Sequence, residues 1–561
     1  MLDQLRKKIA HSEGEVRWWS DTRLKKLMDR TIMLSSSMSA DRLKAAIDLL
    51  EAATGPFKEP SREDLAPLKE RYAKFCALID DQIFVRDLNA TLRMHDRFIQ
   101  CTALGLWDKE RISQELQHLE DSLKNAPPIP YGRTELLRSL QGKKLLPPAK
   151  GCYFGVLSDE DSSLSFDRLT VGALEEGTGG QVQLEAADMV IQGPDGQLID
   201  LDAANHPVRG LPFSPPLLLW IKARLLEGRL PLVTFRLLDR SLEWLYDSFT
   251  ANFPTRGTAP KHLLPPEKVI AVQDILDGKL DTYLQRNLQL IASTKAATLV
   301  GLFSAFDETA APYAFGADGR TPYYLLVDRK LDKQRLFEEF EDTRSIEFRR
   351  RLQKGVFAGD GGAELRNQYG DAGIPDGPER VRDAWKRFRQ LVTASGASSV
   401  SLFSCATAYH GNKKALSEHP RAGAQDWNKL EYYWPGEGVL DWLGVGPVRE
   451  VTESEKGGLS VADALDSFMS EIRNSNWRAT PVLIRGLASP FERDPAREAG
   501  WIMRTFQELL PKAYPDIKAF FVSFPEYLTL WAADGPASFR RAVSSNAYYK
   551  QRLNLQPLPQ Q

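Results

Sequence analysis

The residues best equipped for chemistry are gathered between Glu431 and Gly446, in the stretch EYYWPGEGVLDWLGVG. Tyr432, Tyr433 and Trp434 offer aromatic faces of the kind that stack on sugar rings, and Glu437 and Asp441 offer carboxylates. The run from Val439 to Val445 is too short for a stable helix and is bounded by glycine at both ends, which is the pattern of a buried strand in a parallel sheet. A turn before such a strand sets aromatic and acidic side chains at a strand end, where a β/α barrel would carry a sugar platform. The plainer alternative is a core strand with core aromatics. Other chemistries find little support. The four cysteines, Cys76, Cys101, Cys152 and Cys405, are far apart and form neither a metal-binding pair nor a disulfide framework. The seven histidines are scattered, with no HExxH. His410 follows an apolar strand and stands out from the rest, with a structural or surface role as its simpler reading. No glycine-rich phosphate loop follows a strand. Neither a metal nor a cofactor is expected.

The elements that must position these residues change in texture along the chain. At 561 residues two or three domains are expected. A hydrophobic fraction of 42% and an aromatic fraction of 10% are those of a folded globular protein. A net charge of −2 gives no general attraction to nucleic acid or to an anionic membrane. The N-terminal stretch has basic residues but no continuous apolar core behind them, and no apolar run is long enough to span a bilayer, so a cytoplasmic protein without signal peptide or transmembrane segment is expected. Residues 1–125 show helical spacing throughout, as in Leu68, Tyr72, Phe75, Cys76 and Ile79, or Ile112, Leu116, Leu119 and Leu123. They predict an all-α bundle, through which a protein partner or a second copy could bind. The prolines from Pro127 to Pro130 end it, and residues 126–149 are expected as a linker. Beyond them, short apolar runs alternate with helical stretches. Strands are expected at 152–157, 188–192, 230–235, 297–303, 399–403, 439–445, 481–484 and 517–522. Eight strands largely alternating with helices suit a (β/α)8 TIM barrel over residues 150–555, with an insertion at about 309–376. A doubly wound sheet is the alternative, weakened by the missing phosphate loop.

At this point the residues resemble glycoside hydrolase family 26, the (β/α)8 barrels that include β-mannanases. The resemblance is carried by Asp277–Leu284 (DGKLDTYL), by the helix around Asp383-Ala384-Trp385-Lys386 with Ser399–Phe403 after it, by Tyr432–Gly444 (YYWPGEGVLDWLG), and by Thr480–Ile484 and Ile517–Phe520. It covers roughly residues 150–555 and leaves the helical region outside. It implies a barrel acting on β-linked polysaccharide through two carboxylates, an acid/base after the fourth strand and a nucleophile after the seventh; retaining enzymes hold such a pair about 5–5.5 Å apart. The chain departs from the family at both places. Matching the family's His-Glu motif onto Ser304–Asp307 puts Asp307 at the acid position, with Glu308 beside it. A second match, Phe357–Asp360, offers Asp360 instead. After the seventh strand the nucleophile position falls on Gly486, which can neither attack an anomeric carbon nor stabilise its charge. Glu492, six residues on, is a further acid.

Three readings follow. The first is a degenerate glycosidase barrel that binds polysaccharide, with Tyr432, Tyr433, Trp434, Glu437 and Asp441 as binding residues. The second is an active β-glycoside hydrolase, mannanase-like or glucanase-like, with relocated carboxylates drawn from Asp307, Glu308, Asp360, Glu437 and Glu492. The third is a non-catalytic scaffold for protein interaction through the helical region.

Overall fold

Eight apolar runs lie side by side and parallel in the computed structural model. It describes residues 60–103, 107–157, 182–191, 213, 217–237, 275–303, 376–406, 434–446, 448–449, 460–488, 495–523, 538, 540–544, 546–549 and 552–559. The strands are β2 (Tyr153–Leu157), β3 (Leu184–Ile191), β4 (Leu230–Leu237), β5 (Thr298–Phe303), β6 (Val400–Ala406), β7 (Trp442–Val445), β9 (Val482–Ala488) and β10 (Ile517–Ser523). Each pairs with the next in that order, and β10 pairs with both β9 and β2, so the sheet closes on itself. A short piece, β8 (Val448–Arg449), resumes pairing with β9 beyond Gly446. The protein is therefore a (β/α)8 TIM barrel.

The same alternation that predicts the strands decides what each face meets. On β4, Phe235 turns outward, its ring set edge-on to Tyr283 of α6 (Asp281–Ser293) and Phe388 of α7 (Asp376–Ala394). On β10, Phe520 turns outward to Phe506 and Tyr549. Phe521 therefore points to the axis. Two glycines make room there. A Cβ on Gly155 would lie 2.6 Å from the Phe521 ring, and one on Gly301 would lie 2.5 Å from the Phe403 ring. The two phenyl rings thus occupy space on the inner face that any other residue at 155 or 301 would deny them.

Helix α5 (Leu217–Leu226) lies between β3 and β4 in sequence and is buried over most of its length. Glu185 of β3, almost fully buried, accepts from Arg224 at 2.8 Å and from Arg229 at 2.6 Å. Glu227 lies within 2.7 Å of Arg229. Two cations and two carboxylates so fasten the helix to the start of the strand. Helix α8 (Val461–Arg473) opens with a capping box between Ser460 and Asp463 and buries Leu465, Phe468 and Met469 against the outer faces of β7 and β9. Helix α9 (Pro495–Met503) runs on into a wider π-helical stretch, Arg504–Ala513, ahead of β10.

The N-terminal helices α1 (Arg62–Gln82), α2 (Asn89–Ala103) and α3 (Lys109–Lys124) bury the faces their spacing predicts. Their core runs without interruption into that of the barrel. Phe213 sits edge-on to Tyr72 and Phe98, and Lys222 of α5 pairs with Asp80 at 2.7 Å. Within residues 126–149, expected as a linker, lie α4 (Tyr131–Leu140) and β1 (Lys143–Leu146). Strand β1 pairs antiparallel with β11 (Asn554–Pro557), joining the segment just ahead of the barrel and the segment that follows it in one ribbon. The ribbon packs at the N-terminal ends of the barrel strands: Tyr153, the first residue of β2, donates to the Leu146 carbonyl at 2.9 Å and accepts from the Asn554 amide at 2.8 Å. Burial pushes the Tyr153 hydroxyl up to about 12. Among the described residues, no helix is long and apolar enough to cross a membrane.

Two outcomes follow from this packing. Gly301→Ala should lower stability by about 2–3 kcal/mol, because its methyl group must displace a ring held in a filled interior; the shift in denaturant midpoint at unchanged m-value reads it. The second concerns acid. Hydrogen bonding to Lys109, then to the Ser61 amide and hydroxyl, lowers the Asp64 carboxyl to about 2 from an ordinary 3.8. Its contribution is complete above the ordinary value and is lost as pH falls from there through about 2. Between pH 5 and pH 2 the wild type should therefore lose more stability than Asp64→Asn, and equal losses would remove the Asp64–Lys109 link from the account.

Candidate functional site

In a parallel barrel the end of a strand at which a residue stands is fixed by its order along the chain. Trp434, Glu437 and Asp441 all precede β7, so they stand at its N-terminal end. The Trp434 ring lies on that of Trp477 with centroids 4.8 Å apart and planes 16° apart, and Trp477 itself precedes β9. Asp441 is held from three sides. Its Oδ1 accepts from Lys144 of β1 at 2.6 Å, and its Oδ2 accepts from Arg389 of α7 at 2.6 Å and from the Leu402 amide at 2.8 Å. This clamp joins the terminal ribbon, a barrel helix and two strands. Glu437 is exposed in the turn. The expected sugar platform at a strand end, as far as it is described, thus lies at the end opposite to the one where TIM barrels build active sites. Tyr432, Tyr433, Asp307, Glu308, Asp360, His410 and Glu492 lie outside the described residues.

At the C-terminal end stands β9. Its Val482 and Ile484 belong to the outer cluster with Phe468 and Met469, which leaves Leu483 and Arg485 on the inner face. Arg485 pairs in register with Phe521, whose ring faces the axis. The register then shifts. Arg485 pairs with Phe521 and Leu487 with Val522, so Gly486 is one extra residue in β9, a bulge. Its φ is 87°, in the left-handed region that favours glycine. The bulge returns Leu487 to the outer apolar cluster. Gly446 completes the arrangement: a Cβ there would come within 1.8 Å of the Arg485 carbonyl. Glycine at 486 answers a backbone demand and glycine at 446 a steric one.

The strands' stagger shows what shares a level with Arg485. Eight tilted strands close a barrel with about one residue of stagger per strand. Followed through the registers, that stagger puts Leu157 of β2, Thr234 of β4 and Arg485 of β9 in one layer, drawn from alternate strands. The next layer toward the N-terminal end takes Ala186, Gly301, Gly444 and Phe521, and the one beyond takes Gly155, Leu232, Phe403 and Leu483. Large rings in one layer stand over glycines in the next. Thr234 is fully buried, and its hydroxyl has no hydrogen-bond partner among the described residues. The Arg485 side chain is 5% exposed. Two polar side chains, Thr234 and Arg485, therefore stand beside Leu157 above apolar layers, toward the C-terminal end of the barrel. Residue type in the apolar run Val482–Leu487 is the signal for Arg485: it is the charged member, two positions from Leu483 on the same face.

Burial pushes the Cys76 thiol up to about 12 and raises that of Cys152 well above its ordinary value. Among the described residues, no group of three or more His, Cys, Asp or Glu side chains could hold a metal ion.

No protein-family profile matches the chain, and no curated protein matches it. Solved structures do. The chain is similar to the Bacillus subtilis mannanase BCman, with 10% identity over 75% of this chain and 90% of that one and a TM-score of 0.34. It is similar to the GH26 domain of an endo-beta-mannanase/endo-beta-glucanase from Prevotella bryantii, with 10% identity over 75% and 95% of the two chains and a TM-score of 0.36. A GH26 beta-mannanase from Bacteroides ovatus matches at 11% identity over 71% and 90%, with a TM-score of 0.37. At such identities and scores the likeness assigns no residue a role, and the barrel stands on its own strand order.

The bulge gives a direct test. Gly486→Glu should cost about 1–2 kcal/mol of stability, because a side chain is forced to a left-handed φ. Thermal melting checks it, and an unchanged midpoint would remove the backbone reason for glycine here.

Proposed function

We propose that this chain is a glycosidase-like barrel that binds polysaccharide and does not cleave it by the retaining route. One observation carries the reading. Where the sequence resemblance places a nucleophilic carboxylate, β9 supplies a bulge glycine, Gly486, and beside it an inward guanidinium, Arg485. Glycosidic cleavage passes through a transition state with positive charge on the sugar ring. A carboxylate a few ångströms away stabilises that charge, whereas a fixed cation opposes it. The bulge also leaves no side-chain atom at position 486 from which a nucleophile could act.

Binding without turnover needs only that the C-terminal end of the barrel keep its shape and its polar groups. The proposal predicts that purified protein releases no reducing ends from β-mannan, β-glucan or xylan, and that Gly486→Glu does not create such release. Affinity electrophoresis or calorimetry on a glycan panel should still detect binding. Release of reducing sugar by the wild type, abolished by Asp307→Ala, would sink the proposal in favour of a hydrolase with relocated carboxylates. Absence of binding to every glycan would sink it in favour of a scaffold.

A further inference from the structure

We infer that the β1–β11 ribbon is a strap that opens and closes as one unit over the N-terminal end of the barrel, and that its state is passed to β7 through Lys144 and Asp441. The strap lies at the end opposite to the one proposed to hold glycan and is independent of it.

Two strands of four residues are marginal by themselves. Among the described residues β11 has β1 as its sole strand partner, and Asn554, Gln556 and Pro557 are exposed. A short set of bonds holds it. The Tyr153 hydroxyl joins the Leu146 carbonyl to the Asn554 amide, the Asn554 side chain donates to the Pro147 carbonyl at 2.9 Å, and the Leu558 amide donates to the Gly142 carbonyl at 2.9 Å. Leu145 of β1 is buried, and Leu555 of β11 is half-buried against the same core. An element with so few buried apolar contacts belongs to the low end of local stability, where segments open without the rest of the fold.

The chain ahead of β1 is pinned differently. Gln141 bridges to Ala296 just before β5, its side chain donates to the Thr294 carbonyl at 3.0 Å, and the Gly142 amide donates to the Lys295 carbonyl at 2.7 Å. Lys295 holds a φ of 55°, in the left-handed region that a lysine adopts only where its surroundings enforce it. Gly142, with a φ of 67°, then stands as the hinge between this pinned segment and the strap. Opening would withdraw Lys144 from Asp441 and leave that carboxylate with Arg389 and the Leu402 amide. The segment before β7 therefore reads the state of the strap.

Native-state hydrogen exchange on the full chain tests this. In the wild type β1 and β11 should exchange at a common rate, about tenfold or more faster than β4 and β5. Tyr153→Phe removes both hydroxyl bonds and should speed exchange about tenfold in β1, in β11 and at residues 439–443, leaving β4 and β5 unchanged. In a Lys144→Met background the same change should no longer reach residues 439–443. Exchange of the ribbon only at the rate of β4 and β5 in the wild type overturns the inference, whether or not the variants fold, because the ribbon would then open only with the whole barrel. Exchange of β11 while β1 stays protected also overturns it, since a loose end is not a strap. An equal effect of Tyr153→Phe on all strands, or an effect on residues 439–443 that survives Lys144→Met, overturns the link to β7.

Discussion

Room on the barrel axis is the constraint on which the rest of the structure depends. A small closed barrel must be filled by its own side chains, and here two phenyl rings reach toward the axis from β6 and β10. They fit only because Gly155 and Gly301 present bare backbone to them. The layers then follow in order, with small residues facing large ones. Because the rings of Phe403 and Phe521 take up the middle, polar groups can stand only toward the ends of the strands. That is where Arg485 and Thr234 lie.

The two ends of the barrel differ in construction. At the N-terminal end, the β1–β11 ribbon, the Asp441 clamp and the Trp434–Trp477 stack tie strands, a helix and the two segments flanking the barrel together. Each of those polar groups already has its partners in the fold, which suits a closing role. At the C-terminal end, β9 gives up regular pairing at Gly486 and keeps a guanidinium on its inner face. The helices α1 to α3 add a third region, whose apolar core joins that of the barrel through α5. Mutations in that interface would therefore be felt in both.

Much of the fold was legible in the sequence. All eight barrel strands fall on apolar runs that periodicity marks, although β3 begins at Leu184, ahead of the run from Asp188, and β7 is shorter than its apolar stretch. The helical faces of Leu68–Ile79 and Ile112–Leu123 are buried as their spacing predicts. The β1–β11 ribbon was not legible, because its strands are four residues each, carry no strict alternation and pair across the full length of the barrel sequence. Nor was α4, which follows directly on a proline-rich break.

The site divides in the same way. Residue type drew attention to Trp434, Glu437 and Asp441, but their place before β7 sets them at the N-terminal end, and a parallel strand's order already implies it. The sequence by itself determined the strand count, the alternation and the absence of a carboxylate at position 486, because these are local properties of residue type and spacing. Tertiary structure alone decided that Gly486 is a bulge with φ of 87°, that Arg485 faces the axis, and that Thr234 shares its level from a strand some 250 positions away. Closure of eight staggered strands sets those relations, and no local pattern in the chain encodes the stagger.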